Sequence, residues 1–403
     1  MRTLGIIAEY NPFHMGHRYH IDEAKRVSGA DRVVVIMSAS FVQRGEPACA
    51  DKFRRAEWAV LNGADMVIEL PDVFSCSCAE RFASGAVRIL SGTGIVDALC
   101  FGSETGDIEY LKEAAFKEPD PGLFSEAMDS GLSYPAAVME ASASPFPLKP
   151  NDILGIEYIR AAKKYGLGFE FFCVKREGQG HDEKNMTSEF SSALAIRKAI
   201  ADYSVIGSMT PERFDFLKSS LPKNVLDDIC SAVRAGVFPA SDNALSDAVI
   251  YCMRRMSAEE IARLPEVSEG LENLFKRYSL ECGSYFDMLK RVKSKRYTMA
   301  RLKRISMYAL LGVTSELQDR AYNDDSALYA RVLAVKESSM DMLGKLSENA
   351  SIPVIVRSSD REKLSEVGRR VEAVSNLAHS VKAVGQPYDK SVKSDMSYRL
   401  VVR

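Results

Sequence analysis

The sequence predicts an α/β fold: an amino-terminal domain built on a parallel sheet, then a mainly α-helical domain, then a small carboxy-terminal α/β appendage. Three observations predict it. Short apolar runs alternate with amphipathic stretches through the first half. Long helical segments dominate beyond about residue 210, and strand-like runs return near the end. The expected limits are 1–205, 206–345 and 346–403, in a 403-residue chain too long for one ordinary domain.

The elements follow in order. Leu4 to Ala8 reads as a buried strand and Gly16 to Val27 as a helix. Arg32 to Met37 (RVVVIM) is a strand rich in β-branched residues, and Asp51 to Asn62 has helical spacing. Met66 to Leu70 is a third strand, stopped by Pro71; Ala79 to Leu90 is helical, and Val96 to Phe101 is a fourth strand. This alternation argues for parallel β-α-β units, which place ligands at the carboxyl ends of the strands. From Gly106 to Pro150 the rhythm lapses, and Pro135, Pro145, Pro147 and Pro150 suggest an insertion over the sheet edge. Asn151 to Tyr165 reads as a helix, Gly168 to Val174 as the last strand of the sheet, and Ser191 to Tyr203 as a helix. Helical segments follow at 211–219, 224–235, 243–256, 257–263, 268–279, 284–293 and 298–311. Ile352 to Val356 and Tyr398 to Val402 are short strand candidates flanking a helix at 360–376.

Composition sets few limits. Apolar content of 46% and charged content of 27% are those of a soluble globular protein, and the net charge of −2 points to no partner. No secretory leader is evident after Met1, and no apolar run approaches the roughly 20 residues that span a bilayer. A cytoplasmic location is expected, with no membrane partner. The eight cysteines are scattered, and only Cys76 and Cys78 are close; reduced, buried thiols are expected, and no metal site. Nothing sets an oligomeric state.

Chemistry concentrates at the first strand. Three of the five histidines, His14, His17 and His20, lie within seven residues and open the first helix. A helix amino terminus presents unpaired N–H groups and partial positive charge, which favour a phosphate. Gly16 lets the backbone come close to a ligand, and Asn11-Pro12 makes the turn out of the strand. His14 and His17, three apart, share a helix face and can neutralise charge developing on an α-phosphate. Packing alone, or a His-only metal site, are the competing readings.

Other positions carry weaker signals. Arg44, in the Arg44-Gly45-Glu46-Pro47 loop after the second strand, reaches a phosphate or an RNA backbone, or is simply solvated. Gly102, after the fourth strand, offers bare backbone to adenine or ribose, or only a turn. Asn151 and Asp152 are equally consistent with helix caps. Ser192 and Arg197 open a helix and can serve β- and γ-phosphates, or act as a cap and a solvated cation. From Lys290 to Arg304 the chain carries Lys290, Arg291, Lys293, Lys295, Arg296, Arg301, Lys303 and Arg304 with no intervening acid. Such a cluster grips RNA through counterion release, with Tyr297 available to stack on a base. A solvated helix face is the alternative.

His14-Met15-Gly16-His17 resembles the HxGH motif of HUP-type, Rossmann-like nucleotidyltransferases. The string GIIAEYNPFHMGHRYH (5–20) is similar to a narrower group, the bacterial tRNA(Met) cytidine acetate ligases. MSASFVQRGEPA (37–48), GADMVIELP (63–71), AERFASGAVRIL (79–90), VDALCFGSETGDI (96–108), KPNDILGIEYI (149–159) and SSALAIRKAI (191–200) agree with it. KRYTMARLKRISMYALLG (295–312) agrees more loosely, and the tail least.

The resemblance implies an ATP-dependent ligase that activates acetate as acetyl-adenylate and acetylates N4 of the wobble cytidine of elongator tRNA(Met). It implies catalytic roles for His14 and His17. It places ATP against Ile7, Ala8, Glu9, Tyr10, Asn11, Pro12, Phe13, His14, Met15, Gly16, His17, Arg18, Tyr19 and His20, with Gly102, Asn151, Arg176, Ser192 and Arg197. Leu194-Ala195 depart from the second HUP motif, which has Ser or Thr nearer its Ile-Arg pair. Arg44 and the cluster from Lys290 to Arg304 are expected on tRNA, and Mg²⁺ is the chemical expectation for ATP, with no ligand set evident. Two alternatives stand: a cofactor adenylyltransferase with a mononucleotide acceptor, and a non-catalytic ATP-binding RNA-binding protein.

Overall fold

The fold is known from a computed structural model, which describes residues 1–117, 120–132, 137, 140–141, 149–176, 192–206, 210–268 and 270–403. Ser191 and the prolines Pro135, Pro145 and Pro147 lie outside them.

The first half follows the expected alternation. β1 (Thr3–Ala8) leads into α1 (Met15–Ser28), β2 (Arg32–Ser38), the short β3 (Phe41–Val42) and β4 (Glu46–Pro47), and α2 (Lys52–Leu61). β5 (Met66–Leu70), α3 (Asp72–Ser75), α4 (Ala79–Gly92) and β6 (Ala98–Ser103) complete the run. Helix Pro150–Lys164 precedes β7 (Glu170–Lys175), and helix Ala193–Ile206 follows it. β1 pairs in parallel with β2 and with β6, β2 with β5, and β6 with β7. Both sheet faces are covered, as parallel sheets require. Val33, Val35 and Met37 enter one hydrophobic core, while Val34 and Ile36 enter the other.

The carboxy-terminal part departs from the expectation of a separate appendage. β8 (Ala330–Val335), β9 (Val354–Ile355) and β10 (Val401–Val402) all join the main sheet, whose order is β10-β8-β5-β2-β1-β6-β7, with β9 on β8. β8 runs antiparallel to β5. It fell in the stretch read as helical, because ARVLAV, apolar apart from Arg331, is short and lacks a strand's alternation. All six residues are buried, which removes the period-2 signal. Buried charges fasten this end: Lys52 Nζ lies 2.6 Å from Glu69 and 3.1 Å from Asp395, and Arg331 pairs with Asp395. Between residues 210 and 323 the chain is helical as expected, and Leu245, Phe275 and Leu302 share one core with Val34 and Leu90. All eight cysteines are free thiols.

Candidate active site

The carboxyl end of β1 turns sharply into α1. Tyr10 takes φ +46°, a left-handed conformation rare for a bulky residue, and a cis bond joins Asn11 to Pro12. Contacts from three other segments hold the turn. Cys49 N–H donates to Asn11 Oδ1 (2.8 Å), Arg55 to the Glu9 carbonyl (2.7 Å), and Arg197 to the Asn11 carbonyl (2.8 Å).

His14 is the N-cap residue of α1, and its carbonyl accepts from His17 N–H at 2.9 Å. His14 N–H in turn donates to His17 Nδ1 (3.2 Å), and the two imidazoles stack with centroids 3.7 Å apart. Because Nδ1 of His17 accepts, its ring proton sits on Nε2. Tyr10 meets the His17 ring edge-on at 4.8 Å, fixing its plane. His20, a turn further on, is pushed down to about 4 by burial, with Arg176 adding to the effect, so it stays neutral near pH 7.

These residues open on a cavity of about 400 Å³. Ile7, Ala8, Glu9, Tyr10, Asn11, His14, Gly16, His17, Tyr19 and His20 line it, together with Gly102, Asn151, Arg176, Ser192 and Arg197. Of the residues from Ile7 to His20, four do not line it. Phe13 is wholly buried in the core, Pro12 shapes the turn, and Met15 lies in the first turn of α1. Arg18 is exposed and faces a separate groove with Asp22, Leu61, Lys223 and Asp227.

The later segments are positioned by one another. Glu104 accepts from the Asn151 amide (2.6 Å) and from Asp152 N–H (3.1 Å). Asp152 accepts from Ser103 Oγ (2.5 Å) and Glu104 N–H (3.0 Å). The loop after β6 and the start of helix Pro150–Lys164 thus cap each other, with Asn151 in the second position of the helix rather than as its N-cap. Gly102 faces the Arg176 side chain, whose Cγ would stand 3.4 Å from an added Cβ. Ser192 precedes helix Ala193–Ile206 and takes Ala195 N–H at 3.2 Å, so it caps as well as lining the cavity. The amino termini of α1, α4, helix Pro150–Lys164 and helix Ala193–Ile206 therefore open on this cavity, where their N–H groups can favour an anion. Arg197 is not solvated: it bonds Asn11 and lies 3.7 Å from Glu46.

A profile of the HIGH Nucleotidyl Transferase family matches residues 1–395. A tRNA(Met) cytidine acetate ligase of Acetivibrio thermocellus is 39% identical over 375 residues, 89% of each chain. That of Fervidobacterium nodosum is 35% identical over 92% of this chain and 88% of its own. The chain belongs to the tRNA(Met) cytidine acetate ligase family. Its fold matches Thermotoga maritima TmcAL bound with alpha-thio ATP at a TM-score of 0.89, with 30% identity over 100% of both chains. The apo form of that protein gives 0.91 and 31%, again over 100% of both chains.

In this member of the ligase family the basic cluster is divided. Lys290, Arg291, Lys293, Lys295 and Arg296 are exposed. Lys303 and Arg304 are turned inward, which corrects their expected place on RNA, and Arg301 is half-buried. Arg304 is buried in a two-point pair with Glu266 (2.5 and 2.7 Å) and also donates to the Gln43 carbonyl (3.2 Å). Lys303 pairs with Glu46 (2.6 Å) and Asp242 (2.7 Å), and Arg301 donates to the Glu266 carbonyl. Tyr297 is 6% exposed, too buried to stack on a base. Arg44 lines the cavity. Sequence reading missed Gln43, Glu46, Phe82 and Tyr158, which also line it. Only Glu46 carried a local signal, as the acid of the Gly-Glu-Pro loop. Among the described residues no three His, Cys, Asp or Glu side chains converge as a cation cage. Among them, no helix is long and apolar enough to cross a membrane.

Proposed function

We propose that this protein uses ATP and acetate to form acetyl-adenylate and transfers the acetyl group to N4 of the wobble cytidine of elongator tRNA(Met). In the first step an acetate oxygen attacks the α-phosphorus, and the bond from that phosphorus to pyrophosphate breaks. His17 Nε2–H and His14 stabilise the charge that develops on the α-phosphate. Arg197, with the N–H groups that open helix Ala193–Ile206, receives the departing pyrophosphate. Gly102, Asn151 and Arg176 hold the adenosine. In the second step the cytidine amine takes the acetyl group, and AMP leaves. A metal ion entering with ATP would be held by the phosphates and water rather than by a protein cage.

The single observation that carries this reading is the convergence of the amino termini of α1 and helix Ala193–Ile206, the stacked His14–His17 pair and Arg197 at the end of β1. The names of the relatives support the acceptor, and the exposed cations from Lys290 to Arg296 are the surface assigned to tRNA. Pyrophosphate release from ATP, measured with and without acetate and tRNA(Met), tests it. Acetate-dependent release followed by tRNA acetylation is expected. Release that needs a mononucleotide instead of acetate would favour a cofactor adenylyltransferase. ATP binding without turnover would favour a non-catalytic RNA-binding protein.

A further inference from the structure

The cavity has two ends, set by strand order. β6 and β7 lie on one side of β1, and β2 and β5 on the other. Gly102, Asn151 and Arg176 come from the β6–β7 side. Gln43 and Arg44, after β3, come from the β2–β5 side, and Ala79 and Phe82, at the start of α4, line the cavity where α4 packs on helix Pro150–Lys164. Glu9, at the end of β1, stands between the two sides. One of its carboxylate oxygens accepts Gln43 N–H at 2.9 Å, which fixes the side chain while it lines the cavity. The resemblance sets Glu9 within the ATP-binding stretch, but no step of the adenylation proposed above uses its carboxylate.

We propose that the β2–β5 end is a pocket for the acceptor nucleobase, in which the Glu9 carboxylate accepts a hydrogen bond, and then the proton, from the exocyclic amine of cytosine. This rests on the acetyl transfer proposed above. Cytosine presents an N–H₂ donor where uracil presents a carbonyl, and a carboxylate is the side chain that accepts from that amine. Phe82, 3% exposed, adds only an apolar edge to the cavity wall. The cytosine amine is a poor nucleophile because its lone pair is delocalised into the ring. Removing a proton as it attacks offsets that deficit. The balance is simple. The N4–acetyl bond forms, the bond from acetyl carbon to adenylate oxygen breaks, AMP leaves with the electron pair, and the N4 proton passes through Glu9 to solvent. Burial raises the Glu9 carboxyl above its usual range, against Gln43 N–H, Arg197, Arg44 and Arg55, which makes it a stronger base.

The test supplies synthetic acetyl-adenylate and tRNA(Met) to the wild-type enzyme and to Glu9→Gln, which keeps an oxygen to accept Gln43 N–H. Single-turnover transfer is compared with adenylate formation from acetate and ATP. Transfer should fall by about 10²-fold, and at least tenfold more than adenylate formation. The wild-type transfer rate should rise with pH through an inflection above the usual carboxylate range, and the variant should lack that inflection. Equal losses in both steps, or an inflection retained in Glu9→Gln, would overturn the proposal. Because acetyl-adenylate is supplied, a wild-type enzyme unable to make it would overturn the adenylation reading, while the Glu9 comparison still stands on transfer.

Discussion

Lys303 Nζ stands 2.6 Å from Glu46 Oε1, so a lysine of the helical region clamps the loop that follows β2. Asp242 braces the same lysine at 2.7 Å, and Glu46 in turn reaches Arg197 at 3.7 Å. Arg197 holds the Asn11 carbonyl. Burial alone would raise the Glu46 carboxyl, but Lys303, followed by Arg197 and Arg44, outweighs it and holds it below the usual range.

Lys303→Met should therefore behave as a loss of positioning. Breaking a largely buried pair while leaving its partners charged costs roughly 2–4 kcal/mol. Thermal denaturation should show that loss, and acetate-dependent pyrophosphate release should slow with it. The salt dependence of tRNA binding should stay as in the wild type. A flattened salt slope in this variant would return Lys303 to the RNA surface.

The exposed cations should behave in the opposite way. Replacing Lys293, Lys295 and Arg296 together by Ala should weaken tRNA binding and reduce the salt slope by up to about 2–3, since each phosphate left without its cation removes roughly 0.7–0.9 from that slope. Stability and tRNA-independent adenylate formation should barely change. Binding titrations at several salt concentrations decide it, and an unaltered slope would place the RNA surface elsewhere.

The contrast marks where the sequence was legible. The strands β1, β2, β5, β6 and β7 and the turn from β1 into α1 stand where the alternation and the Asn-Pro-x-His pattern placed them, because each is written in contiguous residues. The basic cluster was misread in part for lack of that contiguity. No acid lies between Lys290 and Arg304 in the chain, yet Glu46, Asp242 and Glu266 reach Lys303 and Arg304 from other segments. β8 was lost for a different reason: burial on both faces erased its period. Gln43, Phe82 and Tyr158 became visible only when the sheet order brought their loop and helices to one cavity.

Two glycines should respond differently to alanine. Gly45 has φ +74°, and an added Cβ would stand 2.4 Å from the Arg304 backbone nitrogen, which cannot yield without moving its helix. Gly45→Ala should cost more than about 2 kcal/mol from the left-handed backbone and the clash together. At Gly102 the nearest atoms belong to the flexible Arg176 side chain at 3.4 Å or more, so Gly102→Ala should fold normally. Its effect should appear as a higher KM for ATP. Equal melting temperatures for the two variants would contradict this difference.

His17 can be divided into its two nitrogens. His17→Asn keeps an acceptor for His14 N–H, but its amide N–H groups are too short to reach the Nε2 position toward the phosphate, whereas His17→Ala loses both acceptor and donor. Each should slow adenylate formation by about 10²-fold, the usual effect of removing a transition-state donor. Only His17→Ala should also lose about 1 kcal/mol of stability through the open cap. If Asn restored turnover, the Nε2 donor would have no part in the reaction.

His20 gives the protein an acid-sensitive term whose sign can be worked out. Burial, aided by Arg176, lowers its imidazole to about 4, against an ordinary value near 6.5. Between these limits the unfolded chain binds a proton that the folded chain refuses. Unfolding therefore takes up protons in that window, and stability rises with pH across it. The term is fully present above about pH 6.5 and is lost progressively as pH falls toward 4. Replacing His20 by Asn removes it while leaving every other titrating group in place. The melting temperature of the wild type should thus fall faster than that of His20→Asn between pH 6.5 and 4.5, in the absence of nucleotide. A constant difference between the two melting curves would mean that His20 titrates as it does in the unfolded chain.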